Sequence, residues 1–266
     1  MKAEITLSPR ELLYIAALLD ATEFMGVSDA FFGMEEAEIQ QEIRTLQASL
    51  ERKGYAELDF DGDFALKEDV REMVDICANC DTFIVVDKNK TATSQLRELY
   101  YAKAGRIILI QEVEGANQLL PIRDAQELLA HITRDMEWQP SAGAPLRSVK
   151  VSNAVLAEAK AQVNSAKGAN ILVKHGCDAL SAEVILDGLS EQANYYAVVI
   201  TVFEGALEGV YHVMLLDTPK GLYKLTPMTA GDESVVAFDP LTAEQAELAL
   251  SDVIRQALPE KREEFA

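Results

Sequence analysis

The sequence predicts an α+β protein in which one plan, antiparallel strands followed by a covering helix, occurs twice. Three observations carry this. Residues 82–87 and 106–113 are short apolar runs rich in β-branched side chains, with residues 95–103 alternating more loosely between them. Residues 195–203, 210–216, 222–226 and 234–238 repeat that texture in the second half. Each series gives way to a helical period: residues 122–136, after a Gly/Asn-containing loop, and residues 242–258. The copies share a pattern and not their residues. The expected architecture is therefore a pseudo-twofold duplicated body of antiparallel sheet plus helix units, with an N-terminal winged-helix-like helical segment. It divides into residues 1–79, the first sheet-plus-helix unit at 80–140, and a second half at 141–266.

The N-terminal segment opens on Ser8-Pro9-Arg10-Glu11, a helix start with a capping serine, a proline at the first helical position and a capping-box glutamate. A helix over residues 9–21 follows. Phe24, Met25, Phe31, Phe32 and Met34 crowd the link around Gly26 and Gly33. A second amphipathic helix, residues 35–53, puts Ile39, Ile43, Leu46 and Leu50 on one face and stops at Gly54. Asp61-Gly62 between two apolar runs predicts a tight hairpin, and a third helix covers residues 67–78.

Beyond this segment, Asp87-Lys88-Asn89-Lys90 reads as a polar connection with solvated charges. Residues 138–145 read as a linker between halves, with Trp138 packing at the junction. The second half opens on helical segments, the first capped by Ser152 and interrupted at Gly168, the next ending at Asp187-Gly188. Residues 204–209 and 218–221 read as strand-to-strand turns. Residues 259–266 are highly charged and read as a frayed end.

The balance of 44 acidic against 24 basic residues gives a net charge of −20 in a chain of 266 residues. Such a surface repels phosphate backbones and anionic headgroups, so neither nucleic acid nor membrane is an expected partner. Helix, helix, hairpin, helix is the order of a winged helix-turn-helix. However, the would-be recognition helix begins Glu35-Glu36-Ala37-Glu38, and the wing carries Asp59, Asp61 and Asp63, where phosphate contact needs Lys and Arg. Cys77, Cys80 and Cys177 are an odd and sparse set, which suits a reducing compartment. No charged-then-apolar leader is visible and no apolar run approaches about 18 residues. A cytoplasmic location is expected.

No arrangement of side chains predicts catalysis. Cys77-x-x-Cys80 sits at a helix end, where a redox pair needs a helix N-terminus, and too few further ligands stand at zinc spacing. His175, Cys177 and Asp178 are close in sequence only, while a Cys–His nucleophile is assembled in space. His131 and His212 read as structural. No glycine-rich phosphate loop occurs. The chain is expected to be no enzyme and to hold no metal or cofactor.

Residues 7–13 (Leu7-Ser8-Pro9-Arg10-Glu11-Leu12-Leu13), the hairpin at 54–66 and the two halves of strands plus helix together resemble the EspG-type chaperones of type VII (ESX) secretion systems. The resemblance covers nearly the whole chain as architecture. It implies a cytoplasmic, non-enzymatic chaperone or adaptor. Such a protein shields the apolar tip of an exported helical-hairpin substrate and delivers it to the secretion ATPase. A homodimer stays open, and a winged-helix transcriptional regulator or a plain protein–protein interaction module is the alternative. Sheet faces and inter-strand loops can offer an apolar groove with a polar rim. The candidate surface is the second sheet with residues 204–209 and 220–228, where Leu207, Leu222, Tyr223 and Met228 would anchor a partner.

Overall fold

The computed structural model describes residues 4–21, 24–58, 63–90, 94–134, 136, 138, 146–163, 166–190 and 193–258. Strand β1 (Ile5–Leu7) runs straight into helix α1 (Pro9–Leu18). Ser8 lies between them. Its hydroxyl accepts from the Glu11 amide at 3.2 Å, and the Glu11 carboxylate accepts from the Ser8 amide at 2.7 Å, so each satisfies the other's free donor. Helix α2 (Glu36–Arg52) ends at Gly54, whose φ of +70° lets the Tyr55 amide return to the Leu50 carbonyl at 2.9 Å. The short strands β2 (Ala56–Leu58) and β3 (Phe64–Leu66) pair, and α3 (Glu68–Ala78) closes the segment. The Asp61-Gly62 turn lies outside the described residues.

A four-strand meander follows: β4 (Thr82–Lys90), β5 (Ser94–Lys103), β6 (Arg106–Val113) and β7 (Ala116–Ile122), then α4 (Ala125–Thr133). The second half repeats the order. It has edge strand β8 (Val149–Ser152) and helices α5 (Asn153–Lys160), α6 (Ala166–Lys174) and α7 (Ala179–Leu189). Strands β9 (Asn194–Phe203), β10 (Leu207–Thr218), β11 (Gly221–Ala230) and β12 (Glu233–Leu241) come next, and α8 (Ala243–Ala257) ends the described chain.

One antiparallel sheet spans both halves in the order β1-β7-β6-β5-β4-β9-β10-β11-β12-β8. Exchanging the halves leaves that order unchanged, which is the approximate two-fold predicted from the pattern. The halves meet at β4 and β9, where Ile84 faces Ile200 and Val86 faces Val198. The edge strands β1 and β8 are counterparts. Each ends in a serine that caps the next helix, Ser8 and Ser152, the latter accepting from the Val155 amide at 3.4 Å.

Period-2 alternation sorts the strand side chains into two faces. On one face α1–α3 bury Leu12, Ile15, Leu50 and Met73 against Tyr101 and Ile108. On the same face α5–α7 bury Leu172 and Ile185 against Leu216, Tyr223 and Phe238. On the other face α4 and α8 lie together and cover Ile84, Tyr100, Leu109, Tyr196 and Leu215 across the junction of the halves. Burying each large side chain in such a layer is worth roughly 1.5–3 kcal/mol. Trp138 packs into this layer from the first half and meets Tyr196 of β9 edge-on, with ring centroids 5.7 Å apart.

The structure corrects several expectations. Residues 116–122 form strand β7, and α4 starts later than the apolar period suggests. Asp124 sets that start, accepting from the Glu127 amide at 2.8 Å. Pro121 masks the strand in the sequence but is tolerated because β1 covers only Asn117 to Leu119. Asp87 to Lys90 belong to β4, and Lys88 is a core residue: its side chain is 1% exposed and ion-paired. Gly168 lies inside α6 and does not break it. A Cβ there would come within 2.7 Å of Leu186 Cδ1 and 2.9 Å of the Gln162 carbonyl, so the glycine permits close helix packing.

Candidate partner-binding surface

The second-half strands carry the residues expected to anchor a partner, and the structure separates them. Leu222 and Tyr223 lie on β11 under helices on both sides of the sheet and are 2% and 0% exposed. Leu222 enters the layer beneath α8. Tyr223 points the other way, its hydroxyl 3.3 Å from Ser181 Oγ on α7 and its ring edge-on to Phe238. These two cannot be surface anchors in this conformation, because a central strand covered on both faces exposes neither parity. Leu207 and Met228 are exposed, at 62% and 37%. Leu207 faces Phe203 and Met228 faces Val235 in the ladders. By alternation Leu207 lies on the face that carries α5–α7 and Met228 on the face that carries α8. They do not form a single patch.

Val210 was not among the expected anchors. It faces Thr201, shares the Leu207 side of the sheet, and is 53% exposed. It opens residues 210–216, a run that reads as a central strand apolar on both faces. The signal that marks it is the flanking composition: residues 203–212 and 226–235 contain Glu204, Glu208, Asp232 and Glu233 and no lysine or arginine. Acidic residues at that density mark solvated hairpin ends.

The backbone explains the exposure. The β10–β11 ladder runs from Thr218–Gly221 to Met214–Leu225 and stops. Each strand continues with its hairpin mate, β10 with β9 as far as Leu207 and β11 with β12 as far as Ala230–Glu233. Two hairpins therefore diverge beyond Met214 and Leu225, leaving a seam between them. The turn at the closed end of the ladder is held down: Lys220 Nζ reaches Glu183 at 3.1 Å and Asp187 at 3.2 Å on α7, and these partners, Glu183 first, raise its pKa.

Cys77 is buried and its thiol is pushed well above the usual range by desolvation; burial also lifts Cys80, to about 12. Both are free thiols and poor nucleophiles in that state. Asp178, beside Cys177, caps α7, accepting from the Ser181 amide at 3.0 Å and hydroxyl at 2.6 Å, which lowers its pKa. Among the described residues no group of three His, Cys, Asp or Glu side chains could hold a metal ion. No helix among them is long and apolar enough to cross a membrane. The N-terminal turn of α2 presents Glu36 and Glu38, and Glu42 pairs with Arg10 at 2.9 Å, an arrangement that repels a phosphate backbone.

No protein-family model and no curated protein sequence matches the chain. The solved structure of the Mycobacterium tuberculosis type VII secretion system chaperone EspG5, in complex with the PE25–PPE41 dimer, is similar to it throughout. The TM-score is 0.65 at 15% sequence identity, over 96% of this chain and 97% of that one. At that identity the likeness establishes the fold, which is of the EspG type: helices over both faces of one large antiparallel sheet.

Proposed function

We propose that the chain is a cytoplasmic chaperone or adaptor that binds a secreted helical protein of a type VII-like system and keeps it soluble until it reaches the membrane ATPase. The observation that carries this is the whole-chain likeness to a type VII secretion chaperone solved in complex with the PE25–PPE41 dimer. The surface chemistry agrees. Leu207 and Val210 offer exposed apolar area at diverging hairpin ends, while Asp178 caps a helix, Lys220 is ion-paired, and Cys77 is a buried thiol. An apolar tip on an exported hairpin needs such a surface to stay out of water.

Co-expression of the full chain with the small secreted helical-hairpin proteins encoded beside it tests this. One of them should elute with the chain as a complex of fixed stoichiometry and precipitate when expressed alone. If every such protein is soluble alone and elutes apart from the chain, the chaperone reading fails.

A further inference from the structure

Charge distinguishes the two ends of this doubled sheet. The β5–β6 ladder stops at Leu99–Ile110 and the β10–β11 ladder at Met214–Leu225, which are corresponding rungs of the two halves. Each half thus opens a seam between its hairpins, and the two seams lie at opposite ends of the sheet. Along the first both signs occur: Arg97 of β5 is 60% exposed and bonds Asp87 at 2.7 Å, and Glu112 and Glu114 are exposed on and beside β6. Along the second, the ionised side chains are Glu204, Glu208, Asp232 and Glu233 alone. All four are exposed, and Leu207 and Val210 stand among them.

We infer that the β10–β11 seam is the docking site for an apolar segment of the secreted helical partner, and that this segment is flanked by lysine or arginine. The inference rests on the chaperone reading and specifies the kind of partner. Leu207 and Val210 lie on the face that carries α5–α7, so the apolar residues of the partner enter from that side. The unpaired edges of β10 and β11 beyond Met214 and Leu225 add backbone donors and acceptors. The acidic rim selects basic flanks, speeds encounter, and turns away a second copy of this chain, whose net charge is −20. At the first seam Arg97 stands among Asp87, Glu112 and Glu114, so the preference for basic flanks is weaker there.

Two synthetic helical hairpins with identical apolar tips, one with lysines flanking the tip and one with glutamates, are titrated against the full chain by calorimetry. The lysine-flanked probe should bind one per chain, at least tenfold tighter than the glutamate-flanked probe. Its affinity should fall at least tenfold as salt rises from about 50 to about 500 mM, as screening of exposed charge requires. Glu204→Lys with Glu208→Lys should reverse the preference, and Val210→Asp should abolish binding of both probes while circular dichroism and melting stay unchanged. Equal binding of the two probes overturns the inference, as does lysine-probe binding untouched by Val210→Asp. The same charge-reversal variant separates this from the function itself. A natural partner that binds wild type and variant alike leaves the chaperone reading standing and removes the acidic seam as its site.

Discussion

The Lys88 ammonium stands 3.0 Å from the Glu98 carboxylate, with both side chains enclosed between the sheet and α4. Tyr100 donates to the same carboxylate at 3.0 Å, and Lys88 reaches the His131 carbonyl in the last turn of α4 at 3.4 Å. The pair thus ties β4, β5 and α4 together inside an otherwise apolar layer. At the corresponding places of the second half the chain carries Ile200 and Val213, so the architecture itself accepts hydrocarbon there.

Removing Lys88 leaves the buried Glu98 carboxylate without its counter-charge, with the Tyr100 hydroxyl as its remaining donor. Lys88→Met should therefore cost about 3–5 kcal/mol in urea unfolding. Lys88→Met combined with Glu98→Leu should recover most of that loss, because the remaining charge goes too. A double variant as unstable as the single one would show that the pair contributes through more than mutual neutralisation.

Glu11 ties the first helix to the second. Burial by itself raises its pKa, but hydrogen bonds from Lys53 at 2.6 Å, the Ser8 amide and the Ser49 hydroxyl outweigh that, and the net shift is downward. A carboxylate whose folded pKa lies below its unfolded value contributes stability above the unfolded pKa, which is about 4.3, and that contribution is lost as pH falls through the folded value. Glu11→Gln should cost about 1–3 kcal/mol at neutral pH. It should also shrink the difference from wild type as pH falls below about 4, read from denaturant midpoints at each pH.

The edges of the sheet are guarded by position. β8 covers β12 only from Val235 to Phe238, and β1 covers β7 only from Asn117 to Leu119. Just beyond each covered stretch lies a proline, Pro240 and Pro121, which are counterparts in the two halves. A proline lacks the N–H that a docking strand would use. Pro121→Thr together with Pro240→Thr should leave the fold intact and raise concentration-dependent self-association, visible by light scattering at neutral pH.

How far the sequence carries follows from which forces are local. The capping box at Ser8, the stop at Gly54 and the cap at Ser152 are encoded within a few residues and read directly. The central strands read as well, since their apolar runs are long. Strand β1 leaves no mark because three residues make no period, and β8 and β7 are obscured by brevity and by Pro121. Lys88 reads as a solvated charge because its burial depends on Glu98, ten residues away and across a hairpin. Leu222 and Tyr223 mislead in a similar way: they look no different from Leu207 until the helices that cover β11 are known.

Leu207 is 62% exposed and Tyr223 is fully buried beneath α7. Leu207→Asp removes apolar area from the surface without disturbing the interior, so its melting temperature should stay within the small range typical of surface changes, about 0.5 kcal/mol in stability. Tyr223→Ala leaves a cavity against Phe238 and removes the bond that the Ser181 hydroxyl accepts, and should cost about 3–5 kcal/mol. Partner capture should respond in the opposite order once both variants are compared at a temperature where each is folded. Leu207→Asp should weaken it several-fold, while Tyr223→Ala retains it in proportion to its folded fraction. Measuring capture and folded fraction on the same samples checks this directly, and equal capture by Leu207→Asp and wild type would place the docking surface elsewhere on the sheet.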